Sequence, residues 1–401
     1  MSVESTYAWT RLAASLVLST IGGVGMWSVV VVLPAVQAEF GVARAGASLP
    51  YTLTMVGFGL GGILMGRLSD RFGVIVPVIV GSIALGVGFI AAWAAANLAL
   101  FALAQGLLIG VGSSATFAPL VADTSFWFGR RRGIAVAICA SGNYFAGTVW
   151  PPVVQHFIEA GGWRATYLGI GFFCIATMLP LALVLRRRPP VLEVAVGATR
   201  AAAPSPHSLG LTPGQLQTLL VIAGVACCVA MSMPQVHIVA YCGDLGYGAA
   251  RGAEMLSLML GLGIVSRLIS GWICDRIGGV RTLLLGSVLQ GIALTLFLPF
   301  DGLISLYVIA GLFGLSQGGI VPSYAIIVRE YFPPREAGRR VGTVIMATLF
   351  GMALGGWMSG AIFDLTGSYQ AAFVNGIAWN LLNVSIAVWL LRRAVLRLAT
   401  A

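Results

Sequence analysis

Residues 265–278 read VSRLISGWICDRIG and combine two signals on one apolar segment. Arg267 is the only basic residue of the sequence that falls inside a hydrophobic run. The last eight residues follow the pattern G-x-x-x-D-R-x-G, which also occurs at residues 66–73 as GRLSDRFG. The arginine indicates a site for an anion, and the repeated pattern indicates a duplicated chain.

The composition excludes a soluble protein. Of 401 residues, 58% are hydrophobic and 9% are charged, which is more apolar surface than a soluble core of this size can bury. Apolar runs of about 20 residues cross a roughly 30 Å hydrocarbon core as helices. We therefore expect an all-α membrane protein with twelve transmembrane helices. The predicted helices cover residues 11–34, 47–66, 74–95, 98–124, 134–158, 165–185, 214–241, 250–274, 280–299, 303–328, 338–363 and 370–391.

The positive charge of the chain follows its predicted topology, so no nucleic acid is needed to explain the net charge of +10. All 23 basic residues are arginines. With both termini in the cytoplasm, 19 of them fall on the cytoplasmic side, and only Arg44, Arg164 and Arg251 fall outside. This distribution is typical of the positive-inside bias, and it predicts a multi-pass protein of a bacterial inner membrane.

Similar residues recur at a constant separation of 205 residues. The register relates Asp70 and Arg71 to Asp275 and Arg276. It also relates Glu39 to Asp244, Gly41 to Gly246, Gly66 to Gly271, Gly73 to Gly278, Gly106 to Gly311, Gly133 to Gly338 and Gly162 to Gly367. We expect two pseudo-symmetric six-helix bundles, an N-terminal one at residues 1–185 and a C-terminal one at 214–401. Residues 186–213 have no long apolar run and form the predicted cytoplasmic linker.

Twelve helices, the repeated G-x-x-x-D-R-x-G turn and the basic central linker resemble the major facilitator superfamily. Within it, residues 127–135 (WFGRRRGIA), 234–237 (PQVH) and 265–271 (VSRLISG) resemble the monocarboxylate and oxalate/formate transporter branch. The resemblance implies transport by alternating access, with Arg267 binding a substrate carboxylate. The chain has no lysine and carries Gly263 where proton-coupled carriers place an aspartate. One fixed cation favours a substrate with a single carboxylate.

The chemistry of Arg267 supports the same expectation. An arginine near a helix centre costs about 2.5–3.5 kcal/mol on insertion scales, so intramembrane charge is functional by default. The guanidinium offers a flat fork of donors that matches a carboxylate. The alternative is a structural ion pair with an acid elsewhere, although the sequence places no acid clearly at mid-membrane.

The two Asp-Arg turns lie at cytoplasmic helix ends and are predicted to gate rather than to touch substrate. The aspartates can cap a neighbouring helix, where the dipole favours an anion. Asp123 is the expected partner of Arg71, and Glu330 that of Arg276. The predicted gating residues are Gly66, Asp70, Arg71, Gly73, Asp123, Gly271, Asp275, Arg276, Gly278 and Glu330.

Three further residues are candidates for contact with substrate. His237 follows Pro234 and has an unperturbed pKa near 6.5, so it can bind a carboxylate, take up a proton or simply pack. Tyr324 and Asn143 belong to helices that line the cavity in the superfamily. Such polar side chains also bridge helices in lipid, and this alternative holds for the other intramembrane candidates, among them Gln105, Ser113 and Gln317.

The sequence therefore predicts a secondary transporter of a small organic anion, a monocarboxylate by preference, that acts as a monomer in the lipid bilayer. Protons are one candidate coupling ion, and exchange or uniport are alternatives. Export of hydrophobic or drug-like compounds, with Arg267 structural, is the first rival. A receptor or scaffold without turnover is a remote one. No enzyme or cofactor is expected, since no nucleophile-base pair, metal cluster or phosphate loop is visible.

Overall fold

The computed structural model describes residues 4–187 and 210–400, and all of their regular structure is helical. Most of the predicted linker, residues 188–209 with Arg188 and Arg200, lies outside the described residues. The helices are α1 Thr6–Gly22, α2 Val24–Phe40, α3 Arg44–Phe72, α4 Ile75–Trp93, α5 Leu98–Leu103, a π-helical segment Ala104–Gly110, α6 Val111–Ser114, α7 Ala118–Trp127, α8 Arg132–Ala140, α9 Gly142–Leu183, α10 Pro213–Asp244, α11 Ala249–Ile277, α12 Gly279–Leu296, α13 Leu303–Gln317, α14 Ile320–Tyr331, α15 Pro334–Thr366 and α16 Tyr369–Thr400.

Eleven segments of the described chain are long and apolar enough to cross a membrane. One of them, Arg132–Leu183, has 52 residues, about 78 Å at 1.5 Å per residue, which is far more than one crossing needs. Within it, Gly162 has φ 78° and ψ 162°, which is not helical. Division at Gly162 yields the two predicted helices at 134–158 and 165–185. The fold class is thus confirmed as an all-helical membrane protein.

The duplicated turn has the same backbone in both halves. Gly73 has φ 83° and ψ 167°, and Gly278 has φ 82° and ψ 168°. Positive φ is disfavoured for residues with a Cβ, so glycine is required where the chain turns out of the helix. In both turns the glycine N–H donates to the carbonyl four residues earlier, that of Ser69 in one and of Cys274 in the other.

Two compact units account for the chain. The first takes Met1–Leu192 together with His237–Leu260, and the second takes Glu193–Val236 together with Gly261–Ala401. In the first, α4 packs on α9 and α3 packs on the π-helical segment. In the second, α12 packs against α13, α14 and α16. The predicted bundles at 1–185 and 214–401 stay a prediction, because compactness alone does not test where the repeats begin and end.

Candidate functional site

The helix that carries Arg267 has an exposed apolar side and a packed side. Val265, Leu268 and Trp272 are 43%, 59% and 60% exposed. With 3.6 residues per turn, these three lie on a different face of α11 from Arg267. Arg267 itself is half-buried on the side that also carries Gly263. The Arg267 side chain therefore leaves α11 from its packed side rather than from its exposed side.

The backbone beside Arg267 is held by close helix packing. Gly318, between α13 and α14, donates its N–H to the Ser266 hydroxyl at 3.1 Å. A Cβ added at Gly318 would come within 2.6 Å of the Arg267 nitrogen and 2.4 Å of the Gly263 carbonyl oxygen. Only glycine permits this approach, so the α13–α14 junction fixes the position of α11 at Arg267.

Two buried amides lie next to this junction. Gln235 of α10 donates a hydrogen bond of 2.5 Å to the Oε1 atom of Gln317, the last residue of α13. Their exposed fractions are 3% and 1%. The Nε2 atom of Gln317 has no hydrogen-bond partner among the described residues. An unsatisfied buried donor costs about 1–3 kcal/mol, so this one calls for an explanation. Sequence reasoning placed Gln317 only among general polar candidates, because its pairing is a tertiary contact.

Tyr324 belongs to a buried polar chain in the second unit. Its hydroxyl donates to the Oδ1 atom of Asn383 at 2.9 Å, and the Asn383 amide donates to Ser287 at 2.7 Å. All three residues are fully buried. The contact is a helix-bridging one, and a role for Tyr324 in substrate binding, which stays a prediction, would require its hydroxyl to leave Asn383.

His237 and Asn143 belong to the first unit, whereas Arg267 and Tyr324 belong to the second. His237 is fully buried in α10. Asn143 is half-buried near the start of α9, and its backbone carbonyl accepts the indole N–H of Trp27 at 3.3 Å. The substrate-binding role of both residues stays a prediction.

The charged residues of the two turns are exposed. Asp70 and Arg71, and likewise Asp275 and Arg276, are all open to the surroundings. Each arginine lies over a neighbouring aromatic ring: the Arg71 guanidinium carbon is 5.1 Å from the ring centre of Phe72. The corresponding distance from Arg276 to the ring of Trp272 is 3.4 Å. These contacts occupy the arginines within their own helices and leave the gating role untested.

The expected pairing of Asp123 with Arg71 is wrong. Asp123 instead pairs with Arg11, through Nε–Oδ2 at 2.8 Å and Nη2–Oδ1 at 2.9 Å. The two side chains are 7% and 2% exposed, and the Arg11 guanidinium lies 4.7 Å from the ring centre of Trp127. Sequence reasoning took Arg11 as a helix-end charge because the first apolar run begins there, whereas α1 begins at Thr6 and carries Arg11 into the packed interior.

The expected pairing of Glu330 with Arg276 is also wrong. The Oε1 atom of Glu330 accepts the backbone N–H of Gly279 at 3.0 Å. Gly279 is the first residue of α12, where unpaired N–H groups and the helix dipole favour an anion. Glu330 therefore caps a helix, as the sequence reasoning expected of the turn aspartates.

Two further acids are paired with arginines of the first unit. Glu39 bonds to Arg164, with 2.6 Å between Oε1 and Nη2. Asp244 bonds to Arg44, with 3.1 Å between Oδ1 and Nη2. These are the two acids that the 205-residue register relates. Each thus has a cationic partner within one compact unit.

A comparison with known families decides the class of the protein. The model of the Major Facilitator Superfamily matches residues 15–300 and 255–399. The chain belongs to the major facilitator superfamily. Among solved structures, this facilitator resembles a point mutant of the nucleoside transporter NupG, with TM-score 0.72, 14% identity, and 97% and 99% of the two chains covered. It also resembles a bacterial homologue of the human lysosomal transporter Spinster, with TM-score 0.71, 13% identity, and 98% and 97% covered. These likenesses concern the fold.

Relatives of this facilitator are named as transporters. Monocarboxylate transporter 13 of Rattus norvegicus is 28% identical over 353 residues, 86% of this chain and 78% of the relative. The protein of the same name in Bos taurus is 29% identical over 331 residues, 80% and 75% of the two. The MFS-type transporter opdF of Penicillium oxalicum is 27% identical over 302 residues, 74% and 69%. The chain is a membrane transporter rather than an enzyme, and it resembles the monocarboxylate branch.

Proposed function

We propose that this transporter carries a small organic anion, a monocarboxylate, by alternating access, and that Arg267 binds the carboxylate. The observation that carries the proposal is the position of Arg267 on the packed side of a membrane helix, beside Gly263 and the Gly318 junction. An arginine at this position raises the free energy of inserting the helix into the membrane, so its presence there indicates a function. A bidentate guanidinium pair is strong and geometrically selective for a carboxylate.

The relatives named as monocarboxylate transporters support the same substrate class. We further infer that both termini lie in the cytoplasm of a bacterial inner membrane, since the arginine distribution follows the positive-inside bias. The two Asp-Arg turns then lie on the cytoplasmic side, where we assign them to gating. Import and export, and proton symport, exchange and uniport, are the alternatives for direction and coupling, which transport measurements in proteoliposomes separate.

The test is thermal stabilisation of the detergent-purified protein by a panel of small carboxylates. A ligand at 100 times its dissociation constant stabilises the folded state by about 2.7 kcal/mol. We expect one carboxylate class to raise the unfolding temperature of the wild type and to lose this effect in Arg267→Gln. Arg251→Gln is the matched control, because Arg251 is an exposed partner of Glu254 and its loss should leave stabilisation intact.

The outcome that would contradict the proposal is equally specific. If no carboxylate stabilises the wild type and Arg267→Gln is as stable as the wild type, Arg267 is structural. Stabilisation by hydrophobic cations or neutral compounds that survives Arg267→Gln would then favour export of hydrophobic compounds.

A further inference from the structure

Gln317 presents a buried amide nitrogen with no acceptor among the residues that the structure describes. Its oxygen is already used by the amide of Gln235 at 2.5 Å. Each carboxamide has two N–H donors and one oxygen, so two facing amides that share one N–H···O bond still hold spare N–H groups. In the orientation that the structure shows, both N–H groups of Gln317 are available as donors.

The Gln317 backbone lies close to the backbone of Arg267. Gln317 is the last residue of α13. The next residue, Gly318, lies so close to the α11 backbone at Arg267 that a side chain at position 318 would clash with it. Gln317, Gly318, Ser266 and Arg267 all belong to the second compact unit. The backbones that carry the amide and the guanidinium are thus held at a fixed separation, which is one requirement for two groups to act on one small ligand.

The chemistry of the two groups is complementary rather than redundant. A guanidinium fork can engage both oxygens of a carboxylate. An uncharged N–H donor adds little to a carboxylate already paired in that way, but it matches a neutral oxygen elsewhere on the same molecule. A site that hydrogen-bonds a substrate group discriminates against the analogue that lacks it, because the buried polar group is then left unpaired.

We propose that Gln317 is a specificity-determining residue, which donates a hydrogen bond to an oxygen of the substrate other than those held by Arg267, and that Gln235 positions it. The inference rests on the proposed function, because it requires a carboxylate at Arg267. It adds that the preferred cargo carries a second oxygen acceptor close to its carboxylate.

The experiment compares pyruvate with propionate, which have the same carbon count and carboxylate and differ in the oxo group. Dissociation constants come from thermal stabilisation of the detergent-purified protein, titrated with each acid. The wild type should bind pyruvate about 3–10-fold more tightly than propionate, the value of one neutral hydrogen bond. Gln317→Leu should bring this ratio to about one while it changes the affinity for propionate by less than about two-fold.

Gln290→Leu is the matched control. Gln290 is also fully buried in the second unit, but its amide is used, since it donates to the Cys227 carbonyl at 3.3 Å and accepts from Asn380 at 3.3 Å. Its loss should lower stability and leave the pyruvate-to-propionate ratio unchanged. Gln235→Leu removes the positioning contact and should lower the ratio without abolishing it, which also provides a second variant if Gln317→Leu fails to fold.

Three results would overturn the inference. The first is equal binding of pyruvate and propionate by the wild type. The second is a preference for pyruvate that persists in Gln317→Leu. The third is a preference for pyruvate that falls as much in Gln290→Leu as in Gln317→Leu. Failure of the proposed function is separate, because Arg267→Gln would then leave the binding of both acids unchanged or neither acid would bind the wild type.

Discussion

The acid in α7 and the acid in α14 have different partners, although the duplicated turns of the two halves are the same. Asp123 is buried against Arg11 in a two-bond ion pair, whereas Glu330 accepts a backbone N–H at the start of α12. Gly73 and Gly278, by contrast, agree within a few degrees in φ and ψ. The two turns thus share one backbone conformation, whereas the acids near them, which the register does not relate, have different partners.

The 205-residue register predicts which residues of the second unit correspond to this ion pair. It places Leu216 where the first unit has Arg11, and Val328 where the first has Asp123. Both are buried. Replacement of a buried ion pair by apolar residues of similar volume is often neutral or stabilising, whereas loss of one partner is strongly destabilising. We therefore expect Leu216 and Val328 to be the apolar counterparts of Arg11 and Asp123.

The largest expected effect is on the buried ion pair. Asp123→Val leaves the Arg11 cation buried without its partner and should lower the free energy of unfolding by about 3–5 kcal/mol. The double variant Arg11→Leu with Asp123→Val copies the second unit and should recover most of that loss. The measurement is denaturant unfolding in mixed micelles. If the double variant were as unstable as the single one, an apolar pair could not replace the ion pair at these positions.

A smaller effect is expected at the helix cap. Glu330→Gln keeps an acceptor for Gly279 and loses only the charge near the helix dipole, so it should cost about 0.5–1 kcal/mol. Glu330→Leu removes the acceptor and should cost about 1–2 kcal/mol. The same unfolding assay checks both values. If Glu330→Leu destabilised as strongly as Asp123→Val, Glu330 would be part of a buried charge pair and the contrast between the units would be lost.

The smallest effect on stability is expected at the exposed turns. Asp70→Asn and Asp275→Asn should each change the free energy of unfolding by less than about 0.5 kcal/mol, as exposed substitutions do. If the turns gate, each variant should nevertheless shift the balance of inward- and outward-facing states. Spin-label distances across the cytoplasmic side measure that balance, with Asp364→Asn as a control outside the motif. Unchanged distances in both variants would remove the gating role.

Local sequence patterns predicted the architecture because each signal acts over a few residues. Helix length follows from apolar runs, and the duplicated turn follows from a glycine at its required position, so the turns at Gly73 and Gly278 could be located from the sequence alone. The family followed from the same pattern. The helix break at Gly162 was likewise visible as a gap between two apolar runs.

Partner choice could not be predicted in this way. The sequence argument paired Asp123 with Arg71, and only the start of α1 at Thr6, ahead of Arg11, explains why Asp123 contacts Arg11 instead. The pairing of Gln235 with Gln317, across 82 residues of chain, likewise depends on how α10 and α13 pack.

The sequence by itself determined the class of the protein, the membrane helices, the duplicated turns and the one arginine within an apolar run. Periodicity, length and backbone conformation are local properties, which neighbouring residues set. The tertiary structure decided which charges are buried, that Glu330 caps a helix, and that a glycine junction holds the backbone beside Arg267. These contacts join residues far apart in the chain, and their free energies depend on burial and distance, which no local pattern records.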